Sequence, residues 1–119
     1  MSIYEDVILD HYQHPRNNKS IEHPTAAIDV NNPLCGDKLH FEISDKNGVV
    51  DNVGYTGEGC AISIASASLL SEYAKGKTKK ELKSLKKEDV LGLLGIELTP
   101  NRMKCALLSW EALVKTVSR

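Results

Sequence analysis

A two-residue alternation of polar and apolar side chains runs through Asp37-Lys38-Leu39-His40-Phe41-Glu42-Ile43-Ser44. Successive side chains of a β-strand point to opposite faces of the sheet, so this pattern predicts a strand with one apolar face. Asn47-Gly48 follows, and both residue types tolerate the positive φ of a tight hairpin turn. We therefore expect a hairpin whose return strand covers residues 49–55.

The segments around this hairpin predict a third antiparallel strand and further helices. Residues 25–31 again alternate between apolar and polar side chains, which indicates another strand. A first helix is expected over about residues 3–13, because Pro15 stops it. Residues 57–59 read Gly-Glu-Gly and are expected to break the return strand, and a small-residue helix then covers about residues 60–74.

Thr99-Pro100 predicts the start of the last helix, because threonine is a favoured N-cap and proline fits the first turn. The bulky apolar residues that follow recur at helical spacing and predict a core-facing stripe of Met103, Leu107, Trp110, Val114 and Val117. Cys105 lies about 200° from Met103 around this helix. Cys105 is therefore expected to face away from the stripe.

Length, composition and charge indicate one ordinary globular domain. The chain has 119 residues, of which 41% are hydrophobic, with 15 basic and 16 acidic residues. This balance gives no reason to expect a nucleic-acid partner or binding to an anionic membrane. The first residues carry acids where a signal peptide carries bases, and no apolar run approaches the roughly 20 residues of a membrane span, so a cytoplasmic location is expected. Three cysteines, an odd number, suit a reducing compartment.

Each of the three cysteines has a local setting that suits metal binding or sulfur chemistry. Cys35 stands in a tight turn, where Gly36 allows Cys35 and Asp37 to point to the same place. Cys60 begins the small-residue helix, whose free amides and positive dipole end favour a thiolate. Three thiols and one carboxylate are the right number of donors for a four-coordinate metal site. The candidate ligands are therefore Cys35, Asp37, Cys60 and Cys105.

Other interpretations of these and neighbouring residues stay open. Free cysteine is among the most often buried residue types, and separations of 25 and 45 residues match no zinc finger. Arg102 and Lys104 flank Cys105 closely enough to stabilise an anionic sulfur, and a solvent-facing role fits them equally well. The basic residues 75–87 are interpreted as a solvated helical face followed by a loop. Surface positions are expected for the histidines, which are His11, His14, His23 and His40.

Four blocks of the sequence together resemble the iron-sulfur cluster assembly family that includes IscU, SufU and the N-terminal part of NifU. They span nearly the whole chain in the family's order: Asp10-His11-Tyr12-Gln13-His14-Pro15-Arg16-Asn17, Asn32-Pro33-Leu34-Cys35-Gly36-Asp37, the segment 57–68 from Gly57 to Ser68, and the segment 102–110 from Arg102 to Trp110. The resemblance implies an α+β fold over residues 1–119, with helices packed on a three-stranded antiparallel sheet in a SufE/NifU-like sandwich. It also implies that Cys35, Asp37, Cys60 and Cys105 converge at one exposed end.

The resemblance implies a sulfur carrier in iron-sulfur cluster assembly rather than a stand-alone enzyme. In that role the four candidate ligands hold zinc, and a cysteine desulfurase of the SufS or IscS type is the partner. Cys35 then accepts the persulfide sulfur, with Cys105 as the second candidate acceptor. Apo iron-sulfur proteins or other assembly factors are the expected recipients. The alternative function is a scaffold on which iron or a [2Fe-2S] cluster is assembled and passed to apo-proteins, and a purely structural zinc site is a third possibility.

Two branches of this family differ near the last cysteine. The IscU branch typically has a histidine directly before it and a Leu-Pro-Pro-Val-Lys segment, whereas residues 98–104 here read Leu-Thr-Pro-Asn-Arg-Met-Lys. The SufU branch resembles Arg-x-Lys-Cys-Ala and Gly-Glu-Gly-Cys-x-Ile-Ser, which this chain has at 102–106 and 57–63. SufU proteins usually carry an extra segment between the second and third cysteines, for which the 44 residues here leave no room. The motifs favour SufU without its usual insert.

Overall fold

The structure is a computed structural model that describes residues 3–33, 36–95 and 98–118. Its helices and strands follow one another in the order α1 (Ile3–Gln13), β1 (Ala26–Asn32), β2 (Asp37–Lys46), β3 (Val49–Glu58), α2 (Ala61–Ala74), α3 (Lys79–Lys83), α4 (Lys87–Leu94) and α5 (Pro100–Val117). The three strands form one antiparallel sheet with helices packed on it. The α+β fold expected from the sequence is thereby confirmed.

Strand β2 lies at the centre of the sheet, between β1 and β3. The hairpin between β2 and β3 turns at Asn47 and Gly48, whose φ angles of 55° and 81° are the positive values that the sequence predicted. Strand β3 runs three residues further than expected, to Glu58. Gly57 does not break this strand, because it adopts a φ of 145° and pairs with Leu39. The extension carries β3 to the same end of the sheet as the first residue of β2.

One face of the sheet forms the main apolar core. Leu39, Phe41 and Ile43 are at most 2% exposed, as the alternation of β2 predicted. The ring of Phe41 stacks on that of Tyr55 in β3, with 5.7 Å between the ring centroids. Helices α2 and α5 cover this face, and α1 packs on α2.

The interface between α2 and α5 is built from small side chains. The Ser66 hydroxyl donates to the carbonyl oxygen of Ala106 at 2.6 Å and lies 2.8 Å from the Ser109 hydroxyl. Ala65 and Ala112 are fully buried. Small residues allow two helix backbones to approach closely, and the hydrogen bonds satisfy the buried hydroxyl groups.

Helix α5 begins as predicted but buries a different face. The Thr99 hydroxyl accepts a hydrogen bond from the Arg102 N–H at 3.4 Å, and Pro100 is the first helical residue. Of the five residues of the predicted stripe, Val117 is fully buried, and Leu107 and Trp110 are partly buried and pack against the core, so that prediction was only partly right. The reason is the close contact with α2, which turns the small residues inward. The buried residues are Cys105, Ala106, Leu108, Ser109, Ala112, Leu113, Thr116 and Val117.

The basic residues 75–87 contain a short helix, α3, followed by a loop, as the sequence indicated. Thr78 caps α3, its hydroxyl accepting from the Glu81 N–H at 3.0 Å. A further helix, α4, begins after this loop, and its Val90 and Leu94 are 1% exposed. The side chains of Lys80, Glu81 and Lys83 in α3 are exposed, as predicted for a solvated helical face. Within the described residues, the structure has no helix that is long and apolar enough to cross a membrane.

Two histidines have specific partners. Nδ1 of His11 lies 2.6 Å from the Ser68 hydroxyl, so His11 joins α1 to α2 and is not the purely surface residue that the sequence suggested. Burial lowers its pKa, and the charge of Arg16 lowers it further. His40 lies on the polar face of β2, as predicted, where Nδ1 is 2.8 Å from Asp29 Oδ1.

Candidate metal centre

Asp37 is the first residue of β2 and is only 3% exposed. Both of its carboxylate oxygens accept hydrogen bonds from the start of α2. The backbone N–H of Cys60 donates to Oδ1 at 3.2 Å, and the Ser63 hydroxyl donates to Oδ2. A buried carboxylate needs such donors, because burial without them costs several kcal/mol. The sheet edge and the beginning of α2 are thus joined through one side chain.

Cys60 is the N-cap residue of α2 and is partly exposed. Gly59, directly before it, allows the chain to pass close to Asp37. A Cβ atom on Gly59 would lie 2.9 Å from Cβ of Ser63 and 3.4 Å from Cγ of Asp37. The Gly-x-Gly segment therefore brings Cys60 to the carboxylate, as well as allowing the chain to turn from β3 into α2.

Cys105 approaches the same place from α5. Cys105 is 6% exposed, and its carbonyl oxygen lies 3.3 Å from the Ser63 hydroxyl oxygen. Cys105 faces away from the stripe that contains Met103, as expected, but the face on which it lies is the buried one. The buried side is the one that packs on α2, and this side carries Cys105 to the first turn of α2.

Three potential ligands therefore come together from three separate elements. One ligand atom of each of Asp37, Cys60 and Cys105 lies within 4.8 Å of the other two. In a tetrahedral zinc centre with Zn–S bonds of about 2.3 Å, neighbouring ligand atoms are about 3.8 Å apart. The three ligand atoms are therefore at most about 1 Å farther apart than in such a centre. Two thiols and a carboxylate also match the chemistry of zinc, so this group of residues fits such an ion.

Cys35, the remaining candidate ligand, lies outside the described residues, as does its neighbour Leu34. Its part in the site stays a prediction from the sequence. The described residues on either side of it, Pro33 and Gly36, connect β1 to Asp37.

The surroundings of Cys60 favour the thiolate. Burial raises the pKa of the Cys60 thiol, but hydrogen bonds with two backbone N–H groups of α2, the Ser63 hydroxyl and the Cys105 thiol outweigh it. The pKa is lowered overall. Such a lowering is what a metal-binding or nucleophilic cysteine requires, because the thiolate is the reactive form.

Ser63 is a site residue that sequence reasoning missed. It lies three positions after Cys60, which places it one turn into α2 and on the same side of the helix start. That spacing was the available signal. A serine in a run of small residues is ordinarily interpreted as packing, so the signal was weak.

Arg102 and Lys104 lie in the first turns of α5, and both are exposed. This position keeps them close in sequence to Cys105 but leaves their side chains in solvent. Their proposed effect on an anionic sulfur stays a prediction.

Comparison with known proteins identifies the family of this chain. Residues 3–119 match the family model described as the NifU-like N-terminal domain. The chain belongs to this family. The resemblance inferred from the four sequence blocks is therefore confirmed.

Relatives in this family include both sulfurtransferases and scaffolds. The zinc-dependent sulfurtransferase SufU of Bacillus subtilis is 36% identical over 135 residues, which cover 99% of this chain and 91% of the relative. That alignment is longer than the 119 residues of this chain, so the relative has residues at places where this chain has none. The iron-sulfur cluster assembly scaffold protein IscU of Escherichia coli is 32% identical over 120 residues, covering 97% of this chain and 91% of the relative.

A solved structure supports the fold. The crystal structure of FiSufU from Fervidobacterium islandicum superposes with a TM-score of 0.82 at 25% identity. The match covers 97% of this chain and 96% of that one. The sheet and the helices that carry Asp37, Cys60 and Cys105 thus belong to an architecture seen by experiment.

Proposed function

We propose that this protein serves iron-sulfur cluster assembly as a zinc-binding sulfur acceptor for a cysteine desulfurase. The observation that carries the proposal is the convergence of Asp37, Cys60 and Cys105, whose ligand atoms lie within 4.8 Å of one another. Membership of the NifU-like family and the likeness to a zinc-dependent sulfurtransferase support it.

The residues that would hold the ion are Asp37, Cys60, Cys105 and, from the sequence, Cys35. When bound, zinc supplies positive charge that keeps the thiols deprotonated at neutral pH. The protein contributes the arrangement of the ligands. β2 positions the carboxylate, the start of α2 positions one thiol, and the buried face of α5 positions another.

Sulfur transfer to this chain is an exchange between a thiolate and a persulfide. The thiolate of the acceptor cysteine attacks the terminal sulfur of the desulfurase persulfide, and a new sulfur-sulfur bond forms. The sulfur-sulfur bond of the donor breaks, and its cysteine leaves as a thiolate. Cys35 is the proposed acceptor. Cys105, the second candidate, is only 6% exposed, so it is less accessible to a partner protein in this conformation.

The second candidate function is a scaffold that assembles a [2Fe-2S] cluster and passes it to apo-proteins. The same thiolates suit iron and zinc. The 32% identity to a scaffold IscU favours this alternative. In that role Asp37 is the ligand that exchanges most easily, because a carboxylate binds iron of a cluster less strongly than a thiolate does.

The test combines this protein with a purified cysteine desulfurase and cysteine. We expect faster release of sulfide in the presence of reductant, and the added mass of one sulfur atom on this chain in its absence. Cys35→Ser should abolish the added mass, whereas the exposed His14→Gln should not. If the protein neither speeds up sulfide release nor gains a sulfur atom, the proposed carrier function is wrong. A coloured cluster that the protein transfers to an apo-ferredoxin would establish the scaffold instead.

A further inference from the structure

The hydroxyl group of Ser63 contacts all three described residues of the candidate metal centre. It donates to Asp37 Oδ2, lies 3.3 Å from the carbonyl oxygen of Cys105 and lies 3.6 Å from Sγ of Cys60. Ser63 itself is fully buried. It is the third residue of α2, whose N-cap is Cys60.

The strongest of these contacts is the one to Asp37. A hydroxyl has a single proton, and a carboxylate is a better acceptor than a carbonyl oxygen or a thiol. The other oxygen of Asp37 accepts from the Cys60 N–H at 3.2 Å. Two donors from one helix start therefore fix the carboxylate at both of its oxygens. Each oxygen keeps a lone pair for a metal ion.

Removing the hydroxyl would leave one buried oxygen of Asp37 without this donor and allow the carboxylate to rotate. It would not separate α2 from α5, because that contact is made one turn further along. There Ser66 donates to the carbonyl oxygen of Ala106 at 2.6 Å. Ser63 and Ser66 are thus two buried hydroxyls of the same helix with different partners, which makes them a matched pair.

We propose that Ser63 is a positioning residue of the metal centre, which acts by holding the Asp37 carboxylate against the two cysteines. This inference rests on the proposed function, because it takes Asp37 as a metal ligand. Residues that orient a ligand through hydrogen bonds typically change metal affinity by about 10- to 100-fold when they are replaced. An effect of this size is expected for Ser63.

The experiment measures zinc affinity by competition with a chromophoric chelator. Ser63→Ala should weaken zinc binding by about 10- to 100-fold. Ser66→Ala, the matched control, should change zinc affinity by less than about threefold. Ser63→Thr keeps the hydroxyl and should therefore bind zinc nearly as tightly as the wild type. Thermal unfolding of each metal-free variant shows whether the fold is retained.

A double-mutant cycle separates positioning from a general loss of structure. If Ser63 acts through Asp37, then Ser63→Ala should change zinc affinity little in a protein that already carries Asp37→Ala. An equal loss in both backgrounds, or equal losses for Ser63→Ala and Ser66→Ala, would overturn the proposal. Unchanged zinc affinity in Ser63→Ala would also overturn it while leaving the metal centre in place. A wild-type protein without zinc affinity would contradict the metal centre itself and the role of Ser63 with it.

Discussion

The backbone N–H of Cys60 donates to Oδ1 of Asp37 across 23 positions of the chain, at 3.2 Å. This bond joins the first residue of β2 to the N-cap of α2, so the same contact that closes the fold also places a carboxylate beside a thiol. The extension of β3 to Glu58 makes this hydrogen bond possible, because the longer strand brings the start of α2 to the end of the sheet where β2 begins.

Asp37→Asn should weaken zinc binding by at least about 10-fold. The amide is neutral and a poorer zinc ligand, and its NH₂ group cannot accept from one of the two donors that the carboxylate satisfies. Competition with a chelator measures the affinity. Asp51→Asn, which replaces an exposed carboxylate of β3, is the control. Equal affinities for the two variants would show that Asp37 is not a ligand.

Gly57→Ala should lower the free energy of unfolding by about 1–3 kcal/mol or more. Gly57 has a φ of 145°, which residues other than glycine rarely adopt. A Cβ atom at this position would lie 2.1 Å from the carbonyl oxygen of Lys38. Gly92→Ala is the matched control, because Gly92 lies in α4 with nothing within 4 Å of the added Cβ. That control should gain about 0.4–1 kcal/mol. Denaturant unfolding of both variants checks the prediction, which fails if Gly57→Ala is as stable as wild type.

Leu108→Ala should cost about 2–5 kcal/mol of stability, because Leu108 is 3% exposed within the core. Leu107→Ala should cost less than about 2 kcal/mol, since the neighbouring leucine is only partly buried. The two substitutions are chemically identical, so their difference reports on which face of α5 is buried. The bulky apolar stripe in the sequence predicts the opposite order, and chemical denaturation distinguishes the two.

The ion pair of His40 should make stability depend on pH. The hydrogen bond to Asp29 raises the pKa of His40, burial opposes this, and Glu42 adds to it. A raised folded-state pKa means that the stabilisation is complete below the ordinary value of about 6.5 and is lost as the pH rises through the raised value. The advantage of the metal-free wild type over His40→Gln should therefore be larger at about pH 5.5 than at about pH 8.5.

The effect of His40 is small, because its side chain is 36% exposed and solvent screens the charges. His14→Gln, which removes an exposed imidazole outside this pair, is the control for the general effect of losing a histidine. An advantage of the wild type that stays constant or grows towards high pH would contradict the assignment of this pair.

The sheet was predictable because its signal is local. The alternation in β2 and the turn residues Asn47 and Gly48 depend only on neighbours along the chain, and the structure follows both. The face of α5 was not predictable in the same way. It depends on the hydrogen bond between Ser66 and the carbonyl oxygen of Ala106, 40 positions apart, and small residues give no apolar periodicity.

The candidate site, too, was only partly predictable from local sequence. Residue types and short motifs were enough to select Asp37, Cys60 and Cys105 as candidate ligands. Their convergence depends on how β2, α2 and α5 pack, which no single segment of sequence specifies. The role of Ser63 was hidden for this reason, because its partner Asp37 lies 26 positions earlier in the chain.

The central claim is that Asp37, Cys60 and Cys105, with Cys35, surround one zinc ion. X-ray absorption at the zinc edge of the metal-loaded protein tests it most directly. The account predicts three sulfur ligands at about 2.3 Å and one lighter ligand at about 2.0–2.2 Å, with fewer sulfurs in a Cys60→Ser, Cys105→Ser double variant. A zinc ion surrounded only by nitrogen and oxygen, or a sulfur count that the double variant leaves unchanged, would contradict it.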